Sequence, residues 1–280
     1  MIPIVYCGNK KVFEGIVLSS ISIARRTKEP IEIHLFSMNY CIDGKNGEMI
    51  ELSQVESLRE LLKLINKDNE VIFHDLTNEF IKAFVGGKNL DTKYTPYAFL
   101  RLFMDDTSIL PYDKAIYLDV DTMCLNDISN LFDINIDNYE IAAGLDYMGK
   151  FWVNKNYCNS GVILMNLKNI RSTKLLKKCR KLIFNHWYIM PDQTALYLLT
   201  QKVLYLDRCY NEQRKPKKDT VIKHFNKGIK WLPFFHIYNI KQWEREKVHH
   251  KLKIHEFDED YEFFDKYFKK EVLYETKKAN

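Results

Sequence analysis

The sequence predicts one α/β domain built on a parallel sheet. Two apolar runs, residues 2–7 and 31–36, flank a stretch at helical spacing, residues 12–26, and together they form a βαβ unit. At 280 residues the chain can bury a core without disulfide or metal staples. Its hydrophobic fraction of 46% and charged fraction of 28% are those of a globular protein, with no stretch long enough to span a bilayer.

The first strand is all apolar, as a strand covered on both faces is, and residues 12–26 read as an amphipathic helix. Ser53 followed by Glu56 predicts a capped helix over residues 53–65, after a turn-rich break at 43–47. A strand is expected at 70–74 and a helix opened by Pro96 over 94–102, carrying Arg101. Residues 126–132 read as a short helix and 140–144 as a strand ending near Asp146. Asn159-Ser160-Gly161 reads as a polar turn feeding an apolar strand. Ser172 or Thr173 caps a basic helix reaching residue 186, and Asp192 caps a helix over 194–200. A strand at 203–206 and a basic loop at 213–218 precede His224, which leaves a second apolar run. Residues 241–280 form a charged, aromatic C-terminal extension. It reads either as a helical cap on a domain of residues 1–240 or as a face for membrane headgroups. His249, His250 and His255 lie in it without acidic partners at metal-site spacing, and are expected to be bystanders.

Chemistry concentrates where residues 114–118 run into Asp119-Val120-Asp121. In a strand, Asp119 and Asp121 face the same way while Leu118 and Val120 face the packing. Two carboxylates side by side repel unless a cation lies between them, which suits Mg²⁺ or Mn²⁺ holding a phosphorylated substrate. The competing reading is a strand ending in an Asp-rich turn. Arg101 could serve a phosphate or simply a carboxylate.

Other classes are disfavoured. No G-x-G-x-x-G follows the first strand, and Gly86-Gly87-Lys88 lacks P-loop spacing. A net charge of +5 with interleaved signs does not call for nucleic acid. Six scattered cysteines make no zinc ribbon and suit a reducing compartment; with no leader at the N-terminus, the expected location is cytoplasmic or peripheral to a membrane.

Tyr117-Leu118-Asp119-Val120-Asp121, Asn159-Ser160-Gly161-Val162 continuing to Asn166-Leu167, Asp192-Gln193, and His224-Phe225 with Gly228 and Lys230 occur in this order. In that combination the chain resembles glycosyltransferase family 8, the retaining enzymes that include glycogenin and the bacterial lipopolysaccharide galactosyl- and glucosyltransferases. The resemblance implies a GT-A fold, a Rossmann-like mixed sheet with helices on both faces. It also implies transfer of a hexose from a UDP-sugar to a glycan, lipid-linked or protein acceptor. By the same resemblance Asp119, Asp121 and His224 bind Mn²⁺, or Mg²⁺ in its place, and Val120, Gly228 and Lys230 contact the donor. Arg101 sits against the donor; Asp146, Asn159, Ser160, Asp192 and Gln193 line the sugar pocket; Tyr6, Cys7, Asn9 and Lys11 form a loop over uracil and ribose. The family's His-x-x-Gly-x-x-Lys-Pro-Trp segment is altered here, with Gly228 one place late and no Pro before Trp231. Gly8-Asn9-Lys10-Lys11 replaces acids that many relatives carry after the first strand. The expected route is same-face attack giving an α-linkage, with Asp192 held ionised by capping and acting, like Gln193, as a positioning group. A nucleotidyltransferase that makes nucleotide-sugars and a non-catalytic sugar-nucleotide-binding protein are the rival readings.

Overall fold

The computed structural model describes residues 1–42, 45–90, 95–230 and 236–278. Its main sheet is built from β1 (Ile2–Cys7), β2 (Ile31–Ser37), β3 (Glu70–Asp75), β4 (Lys114–Leu118), β6 (Ile141–Leu145), β7 (Cys158–Asn166) and β8 (Val203–Leu206). The short β5 (Thr122–Cys124) lies outside it and pairs antiparallel with β9 (Ile222–His224). The seven strands run in the order β8-β6-β7-β4-β1-β2-β3. Only β7 is antiparallel to its neighbours, so the sheet is mixed rather than all parallel.

Alternation along the strands divides the core between the two faces. Ile4, Ile33, Leu118 and Leu164 face a layer containing α1 (Phe13–Ala24) and α2 (Leu52–Ile65). Val5, Phe36, Tyr117 and Ile163 face α3 (Thr77–Phe84), α4 (Leu175–Asn185) and α5 (Pro191–Leu199). Helices thus cover both faces, as a sheet with apolar side chains on each side requires.

Several expectations change. The helix expected to be amphipathic, α1, is buried all round except at Glu14, because the C-terminal helix α6 (Asp258–Lys278) covers its outer side. Two of its three buried serines are tied to neighbouring elements: Ser19 Oγ lies 2.7 Å from Tyr6 Oη, and Ser22 Oγ accepts from Cys124 N at 2.9 Å. The cap of helix α2 lies two residues earlier than Ser53: it is Glu51, its N–H donating to Gln54 Oε1 at 3.0 Å. The basic helix is broken at Lys174 (φ 57°), which leaves Ser172 and Thr173 inside a preceding short helix. The turn at 43–47 and the helix start at Tyr94 fall partly outside the described residues, as does Trp231. All six cysteines are free.

Among the described residues, part of the extension packs on the sheet domain. Phe257, Tyr261, Phe264 and Phe268 are buried, with Phe268 6.2 Å from Phe13 and Arg26 paired to Asp260 at 2.9 Å. Each buried aromatic contributes on the order of 1.5–3 kcal/mol. These aromatics pack on α1. Among the described residues no helix is long and apolar enough to cross a bilayer.

Candidate functional site

Strand β4 stops at Leu118, and Asp119, Val120 and Asp121 form the bend that leads into β5. Strand alternation therefore does not align the two carboxylates. Pairing of β5 with β9 does the work instead: His224 lies opposite Thr122, and Phe225 N donates to Asp121 O at 2.7 Å. His224 Nε2 then stands 3.2 Å from Asp121 Oδ1 and 3.7 Å from Asp119 Oδ2. One ligand atom from each of Asp119, Asp121 and His224 falls within 4.8 Å of the others. Two carboxylates and an imidazole in that spacing fit a divalent cation with positions left for substrate oxygens.

Each member is held from behind. Asp119 Oδ1 accepts from Arg101 Nη2 at 2.9 Å and Tyr117 Oη at 2.8 Å. His224 Nδ1 faces Asn211 Oδ1 at 3.2 Å, which orients the ring with Nε2 towards the carboxylates. Asp121 is buried, and burial works to raise its carboxyl. The His224 and Lys241 charges outweigh this and hold it well below the usual range. Lys241 Nζ sits on Asp121 Oδ2 and also reaches Phe225 O at 3.1 Å.

Next to this cluster lies a polar wall. Asn159 and Ser160 belong to β7 itself, not to a turn before it. Ser160 Oγ donates to Gln193 Oε1 at 3.1 Å, and Gln193 Nε2 donates to Asp146 Oδ2 at 3.3 Å. Asn159 Nδ2 donates to the same Asp146 oxygen at 2.8 Å, while Asp146 Oδ1 accepts from the backbone N–H of Met148 and Gly149. A cavity of about 260 Å³ opens beside Asn159, Ser160 and Gln193.

Asp192 is not the cap of α5; it lies in the first turn after Pro191, with Met190 at the cap position. It is buried and faces Arg101 Nε at 3.3 Å. Burial raises its carboxyl against the pull of Arg101, the reverse of the capping expectation. Arg101, on the 3₁₀ helix Pro96–Phe103, therefore joins Asp119, Asp192 and Ser160 O, and its guanidinium lies 4.0 Å over the Tyr117 ring.

The β1 end fits less well. Tyr6 points into the core beneath α1, so its ring offers nothing to a base, and Cys7 is buried. Asn9 accepts from Lys11 N at 3.2 Å to shape the turn, and Lys11 is exposed beyond it. Val120 is half-buried with its carbonyl held by Gln242 Nε2 at 2.6 Å. Gly228 passes Tyr238 so closely that a Cβ would lie 2.2 Å from that ring. The side chain of Lys230 lies outside the described residues.

Sequence reasoning missed Tyr117 as a donor to Asp119, Asn211 behind His224, and Lys241 and Gln242 at the Asp119–Asp121 bend. Only Tyr117 carried a signal, since alternation puts it on the same side as Asp119.

A family model described as glycosyl transferase family 8 matches residues 3–247. Among curated proteins, the chain is 30% identical over 161 residues to a "Glycosyltransferase GlyA" of Streptococcus pneumoniae serotype 4, covering 56% of this chain and 22% of that protein. It is 31% identical over 126 residues to a lipopolysaccharide 1,2-glucosyltransferase of Escherichia coli K12, covering 40% of this chain and 37% of that one. The chain thus spans well under half the length of these relatives. Among solved structures, the galactosyltransferase LgtC with donor and acceptor sugar analogs superposes with TM-score 0.65 at 17% identity, covering 95% of this chain and 96% of that one. Streptococcus pneumoniae GlyE gives 0.62 at 18% identity, covering 97% and 65%. These likenesses show the fold: the GT-A type, a mixed sheet with helices on both faces.

Proposed function

The chain belongs to glycosyl transferase family 8, and from that premise we propose that it transfers a hexose from UDP-glucose or UDP-galactose, with retention, to a glycan, lipid-linked or protein acceptor. The observation that carries the reading is the convergence of Asp119, Asp121 and His224 from two distant segments on one point. Two relatives support a hexose: the lipopolysaccharide 1,2-glucosyltransferase of Escherichia coli, and a lipopolysaccharide 1,3-galactosyltransferase of Salmonella typhimurium that is 25% identical over 173 residues. Family membership removes the nucleotidyltransferase reading.

Asp119, Asp121 and His224 would hold Mn²⁺, or Mg²⁺ in its place. When bound, that ion supplies positive charge to the diphosphate as the sugar–phosphate bond breaks. The remaining steps fall to the chain. Arg101 fixes Asp119 and keeps a buried cation beside the site. Asp146, Asn159, Ser160 and Gln193, each tied to another, offer a preset wall of donors and acceptors for sugar hydroxyls. Asp192 is locked to Arg101 and Gln193 is an amide, so neither suits a covalent role. Same-face attack follows, the acceptor hydroxyl entering on the side the leaving phosphate occupies and passing its proton to that phosphate.

The test is UDP release from UDP-glucose and UDP-galactose with a panel of acceptors, with and without Mn²⁺, followed by NMR of the first product. Metal-dependent release and an α-linked product are expected. Release unaffected by chelation would remove the metal role, and a β-linkage would remove retention.

A further inference from the structure

The C-terminal histidines were expected to lack acidic partners, yet His249 and His255 both stand beside Asp258. Among the described residues a second group can hold a metal ion: one ligand atom from each of His249, His255 and Asp258 lies within 4.8 Å of the others. The backbone builds this. A π turn over Val248–Leu252 ends at Lys253 in the left-handed region (φ 55°), and the reversed chain is closed by Ile254 N donating to Val248 O at 3.3 Å. His255 is thereby stacked on His249, with ring centroids 4.6 Å apart, and Asp258 opens α6 beside both.

We infer that His249, His255 and Asp258 form a Zn²⁺ site, separate from the Asp119–Asp121–His224 cluster, that fastens the turn at 248–255 to the start of the C-terminal helix. His249 Nε2 and Asp258 Oδ1 stand 2.6 Å apart and are shut off from solvent, yet lack the alignment of a hydrogen bond. A divalent cation between them would take one lone pair from the ring nitrogen and one from the carboxylate oxygen, leaving neither buried atom without a partner. His255 Nδ1, 3.4 Å from Asp258 Oδ2, supplies the third ligand. Two imidazoles and one carboxylate are the donor set of a borderline ion such as Zn²⁺ rather than of Mg²⁺ or Ca²⁺. The His255 side chain is 63% exposed, which leaves a fourth position open to water. His249 also meets Tyr261 edge-on at 5.9 Å; Tyr261 Oη donates to Gln242 O at 2.7 Å, and Gln242 Nε2 holds Val120 O. A metal here would steady the residues that brace the Asp119–Asp121 bend.

The experiment uses the full chain carrying Asp121→Asn, which disables the first cluster, stripped with EDTA and dialysed against Zn²⁺. Elemental analysis is expected to find about one Zn²⁺ per chain, with a rise in melting temperature on Zn²⁺ addition. Asp121→Asn/His255→Ala should lose both the ion and the rise. Because His255 is exposed, its metal-free melt should match that of the single variant; should it fall, His255→Gln provides the same comparison. Failure of Asp121→Asn to take up Zn²⁺, or retention of the ion once His255 is replaced, would overturn the site.

Discussion

At Gly161 a Cβ would lie 2.2 Å from His224 Cε1 and 2.8 Å from Asp119 Oδ2, so the absence of a side chain is what lets β7 run beside the candidate metal ligands. Nothing flexible stands there to give way, since His224 and Asp119 are both held from behind. Gly161→Ala is expected to push His224 off its line, weakening Mn²⁺-dependent UDP binding about tenfold or more, at a stability cost of about 1–3 kcal/mol. Calorimetric titration of UDP with Mn²⁺ checks it; wild-type affinity would mean that the ring is not needed where it stands. Residue identity was legible for the carboxylate pair, for His224 and for Asn159, Ser160, Asp192 and Gln193, because each sits in a short motif. It was not legible for Lys241, Asn211 or the Asp258 partner of His249, whose meaning lies in contacts across the fold or around a left-handed turn.

At the scale of elements, β2 and β3 carry a polar line through an otherwise apolar layer. His34 Nε2 contacts Glu32 Oε1 at 2.6 Å and its Nδ1 faces His74 Nε2 at 2.9 Å, while Tyr112 donates to the same glutamate. Burial, then the neighbouring His34, pushes His74 down to about 4. An unfolded chain takes up that proton near pH 6.5 and the folded one does not until about pH 4. The stability contribution is therefore complete above about pH 6.5 and is lost as the pH falls towards 4. Melting curves across that window should slope less steeply for His74→Gln than for wild type; identical slopes would show that His74 does not titrate in this way. The strands themselves were readable from apolar runs. The Asp119–Asp121 bend was misread as strand because it prolongs such a run, and α1 was misread as amphipathic because the helix that covers it lies more than two hundred residues later.

At the scale of the molecule, the extension and the sheet domain form one packed unit, with α1 between them and Lys241 and Gln242 reaching the site. Phe264→Ala should lower the stability of the whole by about 3 kcal/mol, because it opens a cavity in the shared core. A single cooperative melt shifted downward is expected, and an unshifted main transition would separate the extension from the domain. Composition revealed the aromatic richness of this segment but not which face it would cover. The site too is a property of the whole, since its residues come from Arg101 through Lys241 and meet only when the sheet is assembled. A ligand that binds them should therefore stabilise the entire fold. The most direct test is the melting temperature of the wild type and of Asp121→Asn with Mn²⁺, with UDP, and with both. The account predicts a rise for wild type that is largest with both together and absent in Asp121→Asn; an equal rise in the two proteins would contradict it.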